Sequence, residues 1–92
     1  MPETHFAVRW PDGQTEQLYS PSTVVRDHLT AGATYTLEDF AQRCRLALEQ
    51  ASTRVEAKYG YRCTSADAQL ADIERTVSTF SAPADVVCLS IS

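Results

Sequence analysis

The chain has little of what marks a specialised class of protein. Its three cysteines, Cys44, Cys63 and Cys88, form no Cys-x-x-Cys pair and stand beside no histidine at zinc-ligand spacing. Reduced thiols are expected, with no disulfide framework, no metal and no cofactor. Basic residues are outnumbered, eight against twelve acidic ones, for a formal net charge of −4. That balance excludes a general attraction to nucleic-acid phosphates or to an anionic membrane and leaves room only for a local basic patch. No apolar run approaches the roughly 18 residues of a membrane span. Met1-Pro2-Glu3-Thr4-His5 has neither the basic nor the apolar region of a signal peptide, so the expected location is cytoplasmic. With three glycines and four prolines, collagen-like and low-complexity architectures are also excluded.

What is present is an ordinary globular composition, 43% hydrophobic and 22% charged over 92 residues. One domain, residues 1–92, is expected, small enough for oligomerisation to help its stability. The strongest signal runs from Thr36 to Gly60. Thr36 reads as an N-cap, with Glu38 and Asp39 facing the positive end of the helix dipole, and Lys58 and Gly60 mark the stop. Leu37, Phe40, Ala41, Cys44, Ala47, Leu48, Ala51, Val55 and Tyr59 fall on one stripe at 100° per residue. Such a helix is roughly 35 Å long and must span the molecule or project from it. Leu46 lies nearly opposite the stripe, as a singly exposed leucine or part of a second contact surface.

Before this helix, residues 5 to 10 alternate, with Phe6, Val8 and Trp10 on one face and His5, Ala7 and Arg9 on the other. Pro11-Asp12-Gly13 predicts a reversal into a second strand at about Thr15 to Tyr19, whose register the pattern leaves open. Trp10 reads as a core anchor whose indole N–H needs a partner if buried. Residues 20–29 fit either a short helix capped by Ser20 or an extended segment through Thr23-Val24-Val25. Thr30 to Ala33 reads as a turn at Gly32.

Beyond Gly60, Tyr61 to Cys63 connects to a second helix capped by Thr64 or Ser65, with a seam of Ala66, Leu70, Ile73, Val77 and Phe80. Ser81-Ala82-Pro83 ends it, and Val86 to Ile91 reads as a last strand. The fold class is therefore α+β: an N-terminal β-hairpin, and an antiparallel pair of helices packed on one face of a small sheet that a C-terminal strand completes. Strand order is open. A strand so close to the terminus suggests a sheet edge, and homodimerisation through that edge or the long helix is expected.

Three groups of side chains have chemical potential. Ser20, Ser22, Asp27 and His28 include the types of a nucleophile, a base and an orienter. Their closeness in sequence favours local capping and turn bonds, and no Gly-x-Ser-x-Gly elbow accompanies them. Arg54, Lys58, Tyr59, Tyr61 and Arg62 form a basic aromatic cluster at the helix end, suited to a phosphate or carboxylate partner or simply to dipole compensation. Cys63, between two helix ends, is the reactive-thiol candidate. Cys44 and Cys88 read as buried small hydrophobes.

Several stretches taken together carry a resemblance: Val8-Arg9-Trp10-Pro11-Asp12-Gly13, Tyr19-Ser20-Pro21-Ser22, Leu37 to Phe40, Ala51 to Val55, Lys58 to Tyr61 with Cys63, and Gln69-Leu70 with Ile73-Glu74. The chain resembles the small nitrogen-starvation-response proteins of bacterial nitrilase-associated biosynthetic gene clusters, over roughly residues 1 to 75. The resemblance implies neighbours that include a nitrilase-like hydrolase, a radical-SAM protein, an acyltransferase-like protein and a flavin-dependent oxidoreductase. It carries over no catalytic residue. The expectation is a non-catalytic accessory protein that docks on an enzyme of its cluster through the helix end and the segment from Tyr19 to Tyr35, Ser20, Ser22 and His28 included. The alternative is a small-molecule binding protein or minor enzyme with a pocket between the hairpin, residues 20–35 and the long helix.

Overall fold

The alternation of Phe6, Val8 and Trp10 produces the first strand. In the computed structural model, which describes residues 4–61, 64–81 and 83–92, β1 spans Thr4–Arg9 and β2 spans Thr15–Ser20. They pair antiparallel, with Phe6 opposite Leu18 and Val8 opposite Glu16. The turn between them is closed by Gly13 N–H donating to the Trp10 carbonyl at 2.9 Å and Trp10 N–H to the Gln14 carbonyl at 2.8 Å. Gly13 sits at φ 87°, a conformation that glycine adopts without Cβ strain. The register puts Leu18 and Ser20 on the buried face and leaves Thr15 to Gln17 exposed. Glu16, on that same face, accepts the Trp10 indole N–H at 2.8 Å.

Residues 20–29 resolve as a 3-10 helix, Thr23–Asp27, capped by Ser22 rather than Ser20. Val24 and Val25 are buried beneath it. The next element was not foreseen: β3, Thr34–Thr36, pairs with the C-terminal strand β4, Asp85–Ile91. The sheet order is β2-β1-β4-β3 with every neighbour antiparallel. The C-terminal strand is therefore interior, and the expectation of a sheet edge there is wrong. Its N–H and C=O groups are used on both sides, by β1 and by the segment after the Gly32 turn. The edges are β2 and β3.

The long helix α1, Leu37–Tyr59, starts at Thr36, whose hydroxyl accepts Asp39 N–H, and stops at Gly60 with φ 82°. Its 23 residues measure about 34 Å at 1.5 Å each, close to the longest extent of the molecule, 40 Å. Helix α2, Thr64–Ser78, includes both Thr64 and Ser65 within the helix, and it ends before Phe80, which the predicted seam had included. Contacts between Ser52 and Asp67 and between Arg45 and Glu74 run in opposite senses along the two helices, which are therefore antiparallel. The shared core joins Phe6, Val8, Trp10 and Leu18 of the hairpin to Phe40, Cys44, Ala47 and Leu48 of α1, Ala66 and Ile73 of α2, and Val86 and Cys88 of β4. The stripe fails at one position. Ser52 already meets Asp67 near the start of α2, so the turns beyond Val55 have little left to pack against, and Tyr59 is 50% exposed.

Candidate functional site

The two serines of the serine and histidine group bond to the backbone beside them, and the histidine bonds to α1. The Ser20 hydroxyl donates to the Ser22 carbonyl at 2.8 Å and accepts Ser22 N–H at 3.3 Å, and the Ser22 hydroxyl accepts Val24 N–H at 3.3 Å. Both serines are buried, so these bonds satisfy groups that would otherwise be costly to desolvate. His28 Nε2 shares a 3.0 Å hydrogen bond with Gln50 Oε1 on α1, and Asp27 is exposed.

Arg43, which the sequence reading did not single out, holds this segment against α1. Its Nη1 donates to the His28 carbonyl at 2.8 Å, its Nε to Asp39 at 3.0 Å, and its guanidinium lies 5.0 Å from the Tyr35 ring centre. The Tyr35 hydroxyl in turn accepts Thr30 N–H at 2.8 Å. The Asp39 and Arg43 spacing of four on a helix was the available signal; the reach of Arg43 to residue 28 is tertiary.

At the far end of α1 the structure brings three of the basic aromatic residues together. Tyr59 and Tyr61 rings lie 6.2 Å apart at 35°, and Lys58 Nζ is 5.5 Å from the Tyr59 ring centre. Tyr61 is 66% exposed and Arg54 is exposed. Arg62 and the thiol candidate Cys63 lie outside the described residues. Tyr19, at the other end of the candidate list, belongs to β2, where its ring is 5.9 Å from that of His5. Tyr19 N–H donates to Gln69 Oε1 of α2 at 3.0 Å.

Where the alternative reading expects a pocket, between the hairpin, residues 20–35 and α1, several described side chains are core. Leu18, Val25, Leu29 and Leu48, each at most 2% exposed, belong to the continuous core there. An open groove of about 470 Å³ lies between α1 and the end of α2, floored by Leu37, Ala41, Val77 and Phe80 and rimmed by Glu38, Gln42 and Arg45. Phe80 stacks near-parallel on Trp10, with centroids 6.2 Å apart. A shallower hollow of about 390 Å³ runs along Leu46, Glu49, Gln50, Thr53 and Arg54; Leu46 is 44% exposed. Among the described residues no group of three His, Cys, Asp or Glu side chains is placed to hold a metal ion, and no helix is long and apolar enough to cross a membrane.

Cys44 and Cys88 are both free and buried. Burial pushes both thiols up from their ordinary range, and Cys88 adds to the effect on Cys44. They are poor nucleophiles, because the thiolate is the reactive form.

In a comparison with protein families, the model for nitrogen starvation-induced protein NitG matches residues 5–91. It extends through the last strand, past the point near residue 75 where the sequence resemblance stops. Neither the curated proteins nor the solved structures give a match.

Proposed function

Because the chain belongs to the family of nitrogen starvation-induced protein NitG, we propose that it serves the bacterial nitrogen-starvation response as a non-catalytic accessory protein, docking in the cytoplasm on an enzyme of a nitrilase-associated biosynthetic gene cluster. The observation that supports this reading is the tip of α1. Two tyrosines, 50% and 66% exposed, lie with their rings tilted toward one another at the end of a helix nearly as long as the molecule, with Lys58 over one ring. Exposed, mutually braced aromatics bring large contact area at small entropic cost, and tyrosine is among the residues that dominate binding energy at protein interfaces. The engagement of Ser20 and Ser22 in local bonds and of His28 with Gln50 supports the same reading, since none of these bonds joins a nucleophile to a base.

Titration of the chain onto each purified enzyme encoded beside it, followed by sedimentation velocity, tests this. A complex is expected with one of them, weakened at least about tenfold by Tyr59→Ala with Tyr61→Ala. Absence of any complex at tens of micromolar, or a complex indifferent to both tyrosines, would sink the proposal. The groove between α1 and α2 favours a second reading, small-molecule binding: its floor is apolar and Arg45 stands at its rim. Saturable binding of a cluster metabolite, abolished by Val77→Arg and untouched by the tyrosine changes, would select it.

A further inference from the structure

Helix α2 stops short of covering α1. Arg45 meets Glu74, and from there α2 runs only to Ser78, while α1 continues back to Leu37. The first turns of α1 therefore form one wall of the groove over Leu37, Ala41, Val77 and Phe80. Val77 and Phe80 are partly buried against the core, and Phe80 is backed by Trp10, so the floor is apolar and held in place. A second hollow of about 240 Å³, bounded by Pro83, Ala84 and Asp85, shares Leu37 and Glu38 with the groove. The two adjoin as one trough, with Glu38 at the junction and Asp85 beyond it.

Charge along this trough is unbalanced. The base at its rim is already paired, Arg45 Nε donating to Glu74 at 3.2 Å. Asp39 has its partner in Arg43. Glu38 and Asp85 are exposed, and among the described residues neither carboxylate makes a hydrogen bond or an ion pair. The dipole of α1 offsets about half a unit of the Glu38 charge, which leaves the junction negative. An apolar trough flanked by unpaired carboxylates suits a molecule with an apolar body and a cationic head. It disfavours a carboxylate or phosphate of the same shape.

We propose that the trough binds a primary amine with an apolar body, an alkyl- or arylalkylammonium. Its ammonium lies beside Glu38 and Asp85, and its body covers Leu37, Ala41 and Phe80. This assignment rests on the small-molecule reading of the groove, to which it adds the sign of the ligand's charge. An ammonium has three donors, enough for both carboxylates. Because both carboxylates are exposed, each contact is weak and sensitive to salt.

Chemical-shift titration of the full chain with octylamine, octanoate and octanol tests the assignment. Octylamine is expected to saturate at about 1 mM, with shifts confined to residues 36–45, 77–80 and 83–85, and to bind at least about tenfold more tightly than octanoate. Glu38→Gln with Asp85→Asn should weaken octylamine about threefold to tenfold. Glu38→Lys with Asp85→Lys should turn the preference to octanoate. Both positions are exposed, so the fold is retained. Added salt should weaken octylamine but not octanol. Ala41→Phe, which fills the floor, should abolish binding of all three. Octanoate that binds as tightly as octylamine, or octylamine indifferent to both carboxylate changes, overturns the assignment and leaves the groove an apolar site. No saturable octylamine shift by about 10 mM overturns it as well. Binding that survives Ala41→Phe overturns the small-molecule reading of the groove together with it.

Discussion

Cys44 on α1 and Cys88 on β4 meet the same core from opposite layers, both fully excluded from water. Their thiols are held protonated by burial, so the folded pKa lies above the ordinary value of 9.0. The sign follows from linkage. Below that value neither state ionises and the stability is complete; above it the unfolded chain releases protons that the folded chain retains, and stability falls. Each thiol contributes up to about 1.4 kcal/mol of loss per pH unit. Denaturation midpoints measured from pH 8 to 11 should therefore drop less steeply in a Cys44→Ala, Cys88→Ala double variant than in the parent. Trp10 shows the other residue-scale lesson: its ring packs edge-on to Phe40 at 5.5 Å, and its N–H finds Glu16. The need for a partner was readable from residue type, but the partner depended on register.

Among elements, α1 was the most legible because local chemistry marks both of its ends. Thr36 caps by its own hydroxyl and Gly60 supplies the left-handed stop; neither depends on distant residues. The 3-10 segment Thr23–Asp27 was ambiguous because β-branched residues and a serine-proline start fit two conformations. Tertiary contacts resolve it, with Arg43 gripping the His28 carbonyl and stacking on Tyr35. Arg43→Ala should cost about 1–2 kcal/mol, mostly from the partly buried carbonyl bond, since the Arg43–Asp39 pair is 42% and 46% exposed and contributes little. Amide exchange across residues 24–30 should rise in that variant. Thr36→Ala should cost about 1 kcal/mol without changing exchange in that segment. The denaturant midpoint gives the first quantity in each case.

For the whole molecule, the division between scaffold and surface makes a direct prediction. Tyr59→Ala with Tyr61→Ala should leave stability within about 0.5 kcal/mol per site, because both rings are largely solvated. Phe40→Ala should cost about 3–5 kcal/mol, because Phe40 is completely buried in the shared core. Thermal unfolding of the two variants compares them directly. A tyrosine variant that unfolds like the phenylalanine one would mean that the helix tip is structural.

By itself the sequence determined the hairpin, the two helices, their antiparallel pairing and the α+β class. These rest on periodicity, caps and turn residues, which act over a few positions. Only the tertiary structure decided that the C-terminal strand is interior, because β3 is three residues long and has no periodicity to detect; its pairing with β4 exists only once the Gly32 turn brings them together. It likewise decided that Tyr59 leaves the stripe, that the open groove lies between α1 and α2, and that Gln69 reaches the edge of β2. Each of these turns on which element arrives beside which, and solvent exposure at a given position is set by that arrival and not by the residue's own preference.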